Sequence, residues 1–463
     1  MRLAVIFESS PFDRKGLFNA VHNRVKHLLA TGECAIDVFC VHSRDNAFTR
    51  RVRHTPEVPS VDETVVDGIR YRLLWYRFSI LDNVLLEKLH VRPWLFRRFM
   101  DSHVDLLKGY DAVIAHSFCG GLFALAAHEK FGIPYYVTWH GSDVHTHPWR
   151  VPVILEDTRA VMQSARCNFF VSRALMEASE RIISANDMLP VTSGVSPVRK
   201  EVLYNGVSED FVKYPPEDRA AARERYGLAP EDKVVAFVGN LSAVKNVLSL
   251  PEVFAQVASR FAEVSGSLSD SCNRSTRLKF WIVGDGKLRT QLESGFSLSF
   301  RPNDPSLSFR PNDPSLSFRP NEVSGEISFF GNQPSPAMPD IMNCIDVLVL
   351  PSLNEGLPLV CAEALSCGAA VVGSDVGGIA EVIGSDNVVP LVSPYDKWSP
   401  SDNVPPPGPH SEGLSRPYDD SFVNGMAEKV VAALVDQSPS QTLPADISWP
   451  LTATMELAAL KSL

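Results

Sequence analysis

Cysteine is scarce in this sequence, eight among 463 residues, and no two stand at the C-x-x-C spacing of zinc or redox sites. That scarcity argues against a disulfide scaffold, and the thiols read as reduced core residues of a cytosolic chain. Long apolar runs are missing too: none approaches the roughly 18 consecutive residues of a membrane helix. The N-terminal run from Leu3 to Phe7 is too short for a signal peptide and reads as the first strand of a sheet. Positive charge is in deficit, with a formal net charge of −10. A field of that sign repels nucleic acid and anionic lipid, so no nucleic-acid partner is expected. What remains is an ordinary globular composition, 45% hydrophobic and 21% charged, in a chain too long for one core.

Short apolar runs alternate with helical stretches. Leu3 to Phe7, Ala35 to Cys40, Ala112 to Ala115, Tyr135 to Trp139 and Asn168 to Ser172 form one series. Val234 to Gly239, Phe280 to Gly284, Ile327 to Phe330, Asp346 to Leu350 and Ala370 to Gly373 form a second. Both series are the pattern of buried parallel strands in doubly wound α/β sheets. The expected organisation is therefore an N-terminal domain over 1–205, a second over 206–440, and a C-terminal helix in 441–463 that packs back on the first. A nine-residue repeat beginning at Ser297, Ser306 and Ser315 lies in an insert at about 294–326 and reads as an expanded surface loop. Val264 to Arg277 and Pro394 to Pro417 read as further loops. The tail regains helical pattern from Phe422 to Val435 and from Leu451 to Leu463.

The segment from Asp346 to Gly368 reads as a strand, a tight loop and a helix. Pro358 suits the first helical turn and Gly368 the position just past the end. The helix N-terminus carries unpaired amides and the positive end of its dipole at the carboxyl end of a strand, where open α/β sheets bind anions. Glu355 stands before this helix and Glu363 about a turn and a half inside it, in the spacing E-x7-E. The plain alternative is a capping glutamate and an exposed helix glutamate, since carboxylates favour first turns.

This segment and its continuation from Ala370 to Glu381, with Gly377 and Gly378, resemble the signature of the family-4 retaining glycosyltransferases of GT-B architecture. The resemblance covers about residues 232 to 384, the repeat excepted, and is looser in the N-terminal half. It implies two Rossmann-like, doubly wound domains facing a cleft, with the acceptor side in 1–205 and the donor side in 206–440. It implies a nucleotide-diphosphate sugar, UDP- or GDP-linked, as co-substrate and a carbohydrate, lipid-linked or small-molecule acceptor. The sugar is transferred with retention, without a metal or other cofactor.

Residue by residue, the resemblance gives Glu355 the hydroxyls of the donor sugar and Glu363 the ribose. The backbone of Gly356, Leu357, Pro358 and Leu359 faces the diphosphate or sugar; the plain role of these residues is to begin the helix. Phe237 to Asn246 resembles the family's diphosphate loop. Lys245 stands where the family has its lysine, but Asn240 occupies the arginine position and supplies a hydrogen bond without charge. Stabilisation of the leaving group therefore rests more heavily on Lys245 and backbone dipoles. Trp281 to Gly286, a strand ending in a Gly-x-Gly turn, supports the fold more than a site. His140, after the strand Tyr135 to Trp139, matches a histidine that faces the donor sugar. With His145 and His147 it also raises a metal site, but the spacing fits no standard zinc pattern. Gly16 is what remains of a glycine pair in the loop after the first strand, where a plain strand-to-helix turn serves equally well.

Asn240, the reduced glycine loop and the repeat also suit a nucleotide-sugar-binding protein that no longer transfers. A related GT-B phosphorylase or epimerase is a third reading. Lys88 to Phe99 mixes cations and aromatics as a membrane-surface helix does, the basis for a peripheral membrane contact. The acidic whole favours instead an amphipathic surface helix with its aromatics in the core.

Overall fold

The computed structural model describes residues 1–12, 16–43, 59, 61–76, 80–184, 198–268, 277–299, 316–318, 325–391, 417–436 and 441–462. They fall into two compact units, Met1–Gly206 with Asp446–Leu463, and Val207–Lys397 with Pro407–Ala445.

The first unit is built on β1 (Arg2–Glu8), β2 (Ala35–Ser43), β3 (Glu63–Val66), β4 (Ile69–Tyr76), β5 (Ala112–His116), β6 (Tyr135–Trp139), β7 (Cys167–Phe170) and β8 (Lys200–Val202). Their order is β3-β4-β2-β1-β5-β6-β7-β8. The pairs from β4 through β8 are parallel, and β3 is antiparallel to β4. Leu3 to Phe7 are wholly buried because helices cover both faces of a parallel sheet, which is why that strand reads as a continuous apolar run. The β3–β4 hairpin escapes the apolar-run reading because its residues alternate. Its turn, Asp67-Gly68, has φ of 49° and 80°, the left-handed pair that a two-residue hairpin demands.

The second unit holds β9 (Lys233–Val238), β10 (Leu278–Val283), β11 (Leu316–Phe318), β12 (Gly325–Gly331), β13 (Val347–Leu350), β14 (Ala370–Ser374) and β15 (Val388–Val389). The order is β11-β12-β10-β9-β13-β14-β15, parallel throughout except at β11. Winding reverses between β1 and β5 in one unit and between β9 and β13 in the other. At such switch points the loops leaving adjacent strands diverge and open a crevice for ligands.

Two expected loops are partly regular. The helix Arg289–Ser299 runs into the first repeat copy, and Leu316–Phe318 of the third pairs with β12 as an edge strand, which the alternation Leu-Ser-Phe permits. The helix Leu250–Leu268 extends into the serine-rich stretch beginning at Val264. The rest of the repeat, residues 269–276 and nearly all of Pro394 to Pro417 lie outside the described residues. Among the described residues no helix is long and apolar enough to cross a membrane. The described cysteines are unpaired, and all but Cys34 are buried.

The C-terminal helix Trp449–Lys461 belongs to the first unit and places Ala453, Leu457 and Leu460 in its core, beside Val21, Val25 and Leu28 of the helix Gly16–Ala30. Between these helices lies a buried charge pair, with the Arg24 guanidinium 3.7 Å from Glu456. Arg24 also donates to Thr138 Oγ1 at 2.8 Å, Asn205 Oδ1 at 3.2 Å and the Leu203 carbonyl at 3.4 Å. One side chain thus ties β6, the end of the first unit and the returning helix together. Removing one member of such a pair leaves the other charge buried and uncompensated. Arg24→Met should therefore cost about 3 kcal/mol of stability in denaturant unfolding. Adding Glu456→Leu should restore most of it; no recovery in the double variant would contradict this account.

Candidate functional site

In the second unit the loops leaving β9 and β13 flank the switch point, and a lysine–glutamate contact joins them. Lys245 Nζ lies 2.5 Å from Glu355 Oε1, and Ser352 Oγ donates to the same oxygen at 2.7 Å. The Leu353 amide donates to the Val244 carbonyl at 2.8 Å, so backbone and side chains both hold the loops together. Ser352 is itself buried, and the Ser374 hydroxyl at the end of β14 donates to its carbonyl at 2.5 Å. Gly377 completes the setting. Its φ is 53°, and a Cβ there would stand 1.9 Å from the Glu355 carbonyl oxygen, so any side chain would push Glu355 out of place. The Gly378 amide donates to the Gly356 carbonyl at 3.1 Å.

Lys245 ends a short 3-10 turn and is followed by Asn246 in the left-handed conformation, φ 50°, which asparagine tolerates better than most residues. Asn240 is exposed at the start of this loop. The Gly284 turn has a clearer role than fold support: a Cβ at Gly284 would lie 2.0 Å from the Gly239 carbonyl oxygen. The Leu241 amide donates to the Asp285 carbonyl and the Leu288 amide to the Leu241 carbonyl. The turn is thus the wall against which the Lys245 loop is built.

The helix that follows Glu355 spans Leu359–Ser366, with Pro358 as its cap residue, one step earlier than the sequence suggests. Having no N–H, Pro358 cannot donate; the free donors are the first amides of the helix proper, at Leu359 and Val360. Gly356 and Leu357 lie in the loop between Glu355 and the helix, and Leu357 is buried. Glu363 keeps some solvent access, with no ion pair among the described residues, and burial pushes its carboxyl up to about 7.

In the first unit His140 follows β6 and His116 ends β5. Parallel register sets these strand ends side by side, with His116 Nδ1 3.1 Å from His140 Nε2. One ring donates and the other accepts. Burial, reinforced by Arg24, lowers His140 to about 3, so its imidazole is neutral near pH 7 and works as a hydrogen-bonding group, not a cation. The amides of His140 and Gly141 donate to the Asp143 carboxylate at 3.2 and 2.8 Å, fixing the turn. Among the described residues no three His, Cys, Asp or Glu side chains are grouped to hold a metal ion. Gly16 opens its helix exposed, with nothing among the described residues within 4 Å of where its Cβ would stand, so no close approach among them demands glycine there.

The structure therefore brings Lys245, Glu355 and the loop Gly356–Leu359 together, sets Glu363 inside the same helix, and seats His140 separately in the first unit. Sequence reasoning missed Ser352 and His116. Neither carries a spacing signal, and each matters through a contact made by the fold.

Two family models match, described as Glycosyl transferases group 1 over residues 232–399 and as Glycosyl transferase 4-like domain over residues 16–191. The chain belongs to the family-4 glycosyltransferases of GT-B architecture. Among curated family-4 relatives, a D-inositol 3-phosphate glycosyltransferase of Kribbella flavida is 26% identical over 62% of this chain and 59% of its own length. The putative teichuronic acid biosynthesis glycosyltransferase TuaC of Bacillus subtilis is 25% identical over 61% and 56%. The chain thus spans somewhat over half the length of these relatives. Two solved GT-B structures share the fold. Sucrose-phosphate synthase from Thermosynechococcus elongatus has a TM-score of 0.61 at 16% identity, covering 100% of this chain and 98% of that one. Anabaena Alr3699/HepE, in complex with UDP and glucose, has 0.57 at 14%, covering 99% and 100%.

Glu363 gives the stability of the second unit a measurable pH dependence. Its carboxyl is raised from 4.5 to about 7 by burial, so folding takes up a proton between those values. Its contribution to stability is complete below pH 4.5 and is lost as pH rises through about 7. Unfolding followed across this window should show a decline that Glu363→Gln removes; an identical slope in the variant would contradict the burial argument.

Proposed function

We propose that the protein is a retaining glycosyltransferase that moves a sugar from a UDP- or GDP-sugar to a carbohydrate, lipid-linked or small-molecule acceptor, without a metal. The observation that carries this reading is the Lys245–Glu355 contact at the β9/β13 switch point, beside the N-terminus of the helix Leu359–Ser366. A lysine cation and free helix amides suit a diphosphate, and they act hardest on the charge that develops as the sugar–phosphate bond breaks. Glu355, held by Ser352, suits the hydroxyls of the sugar, and Glu363 those of the ribose. A neutral His140 suits a further sugar hydroxyl. The bond between the anomeric carbon and the diphosphate oxygen breaks, the nucleoside diphosphate leaves with the electron pair, and the acceptor hydroxyl oxygen takes its place on the same face as its proton passes to the departing diphosphate oxygen.

A second reading, binding without transfer, is favoured by Asn240, which leaves the loop one cation short of the family's pattern. The two readings separate on turnover. With a donor found by calorimetric titration of UDP- and GDP-sugars, Glu355→Gln should lower kcat about 100- to 1,000-fold while leaving donor affinity nearly unchanged. Unchanged turnover would remove Glu355 from the mechanism. A wild-type protein that binds a donor yet never releases nucleotide, across a broad acceptor panel, would favour the second reading.

A further inference from the structure

We propose that the first unit binds its acceptor through the Glu8 carboxylate, and that the part of the acceptor bound there is a neutral sugar or polyol and not a phosphate. This narrows the acceptor of the transferase reading, on which it rests. Glu8 ends β1 exposed, at the β1/β5 switch point of the first sheet. β5 runs beside it with His116 opposite Phe7, and the helix Ser117–Phe131 begins at once, with Ser117 in the left-handed conformation, φ 61°. The helix thus turns its first amides and the positive end of its dipole toward the crevice. The cap residue His116 offers those amides no side-chain bond, and the first turn carries no acid. Open α/β sheets ordinarily hold a phosphate at such a place.

Here a carboxylate of the chain stands in that position. Cys119, in the first turn of the helix, is buried. Burial, and then Glu8 beside it, push the Cys119 thiol well above its ordinary value, so it stays protonated and donates to Glu8. Tyr76, at the end of β4, donates its hydroxyl to Glu8 Oε1 at 2.9 Å. The Tyr76 ring is fixed in turn by Phe96 at 5.3 Å and Phe99 at 5.6 Å, between ring centres, from the helix Trp94–His103. Those two phenylalanines meet the packing expected of that helix, whereas its Trp94 is 63% exposed. The neighbouring imidazole adds no positive charge, because burial, then His140 and Arg24, push His116 well below its ordinary value. Its Nε2 is buried without a partner among the described residues, a polar atom at the strand end that a hydroxyl would satisfy. A carboxylate accepts hydrogen bonds and donates none, so it suits adjacent hydroxyls and repels phosphate oxygens, which also only accept. Phe12, 39% exposed four residues along the same loop, adds the apolar wall that ligand sites pair with a few placed polar groups.

Saturation-transfer NMR on the full chain without donor tests this, with glucose, mannose, galactose and inositol beside the monophosphate of each. At least one neutral member should bind, and its phosphate at least ten-fold more weakly. Glu8→Gln keeps the shape and removes the charge; it should weaken the sugar about ten-fold and bring the two affinities together. Tyr76→Phe should weaken the sugar less, since only the hydroxyl that orients Glu8 is lost. A phosphate bound as tightly as its parent sugar, an unchanged affinity in Glu8→Gln, or no neutral member bound would overturn the proposal. A sugar bound through Glu8, with donor then added and no nucleotide released, would count against the transferase reading alone.

Discussion

The contact between Lys245 and Glu355 is the constraint around which the second unit is arranged. It spans two loops that leave neighbouring strands at a switch point, and everything near it serves to keep the two side chains at 2.5 Å. Ser352 shares the same carboxylate oxygen, Ser374 holds the Ser352 carbonyl, and Gly377 yields its side-chain space to the Glu355 backbone. Largely buried ion pairs of this kind contribute modestly to stability, since lost hydration offsets much of their attraction. Their value lies in position. In the proposed reading an incoming diphosphate competes for the lysine, and the glutamate is released toward the hydroxyls of the sugar.

A second buried charge pair sets the first unit. Arg24 and Glu456 join the C-terminal helix to the helix Gly16–Ala30, and the same guanidinium reaches Thr138, two residues before His140. Its positive charge, together with burial, keeps the His140 ring neutral. The helix Gly16–Ala30 therefore bears on the chemistry of the loop after β6 through charge, although it supplies no residue to that loop.

Much of the fold was legible because strands buried on both faces must be apolar throughout. Leu3 to Phe7, Tyr135 to Trp139 and Ala370 to Gly373 announce themselves in this way. The strands missed lie at or next to sheet edges: β3 and β4 alternate, β11 falls in the repeat, and β8 and β15 are only three and two residues long. Asp67-Gly68 was a readable turn signal that the search for apolar runs passed over. At the site, Glu355, Glu363 and Lys245 could be singled out because their spacing is fixed within one strand–loop–helix segment or one loop. Ser352 and His116 could not, since their roles depend on side chains meeting across strands. The helix at Trp94 shows the same limit from the other direction: periodicity tells which residues share a face, and not whether anything covers it.

The central claim is that the Lys245–Glu355 contact marks the place where the donor diphosphate binds. A crystal structure of the protein with a UDP- or GDP-sugar tests it most directly. The account predicts diphosphate oxygens within hydrogen-bonding distance of Lys245 Nζ and of the Leu359 or Val360 amide, with Glu355 turned to a sugar hydroxyl. A donor bound elsewhere, with the lysine–glutamate contact intact at 2.5 Å, would contradict it.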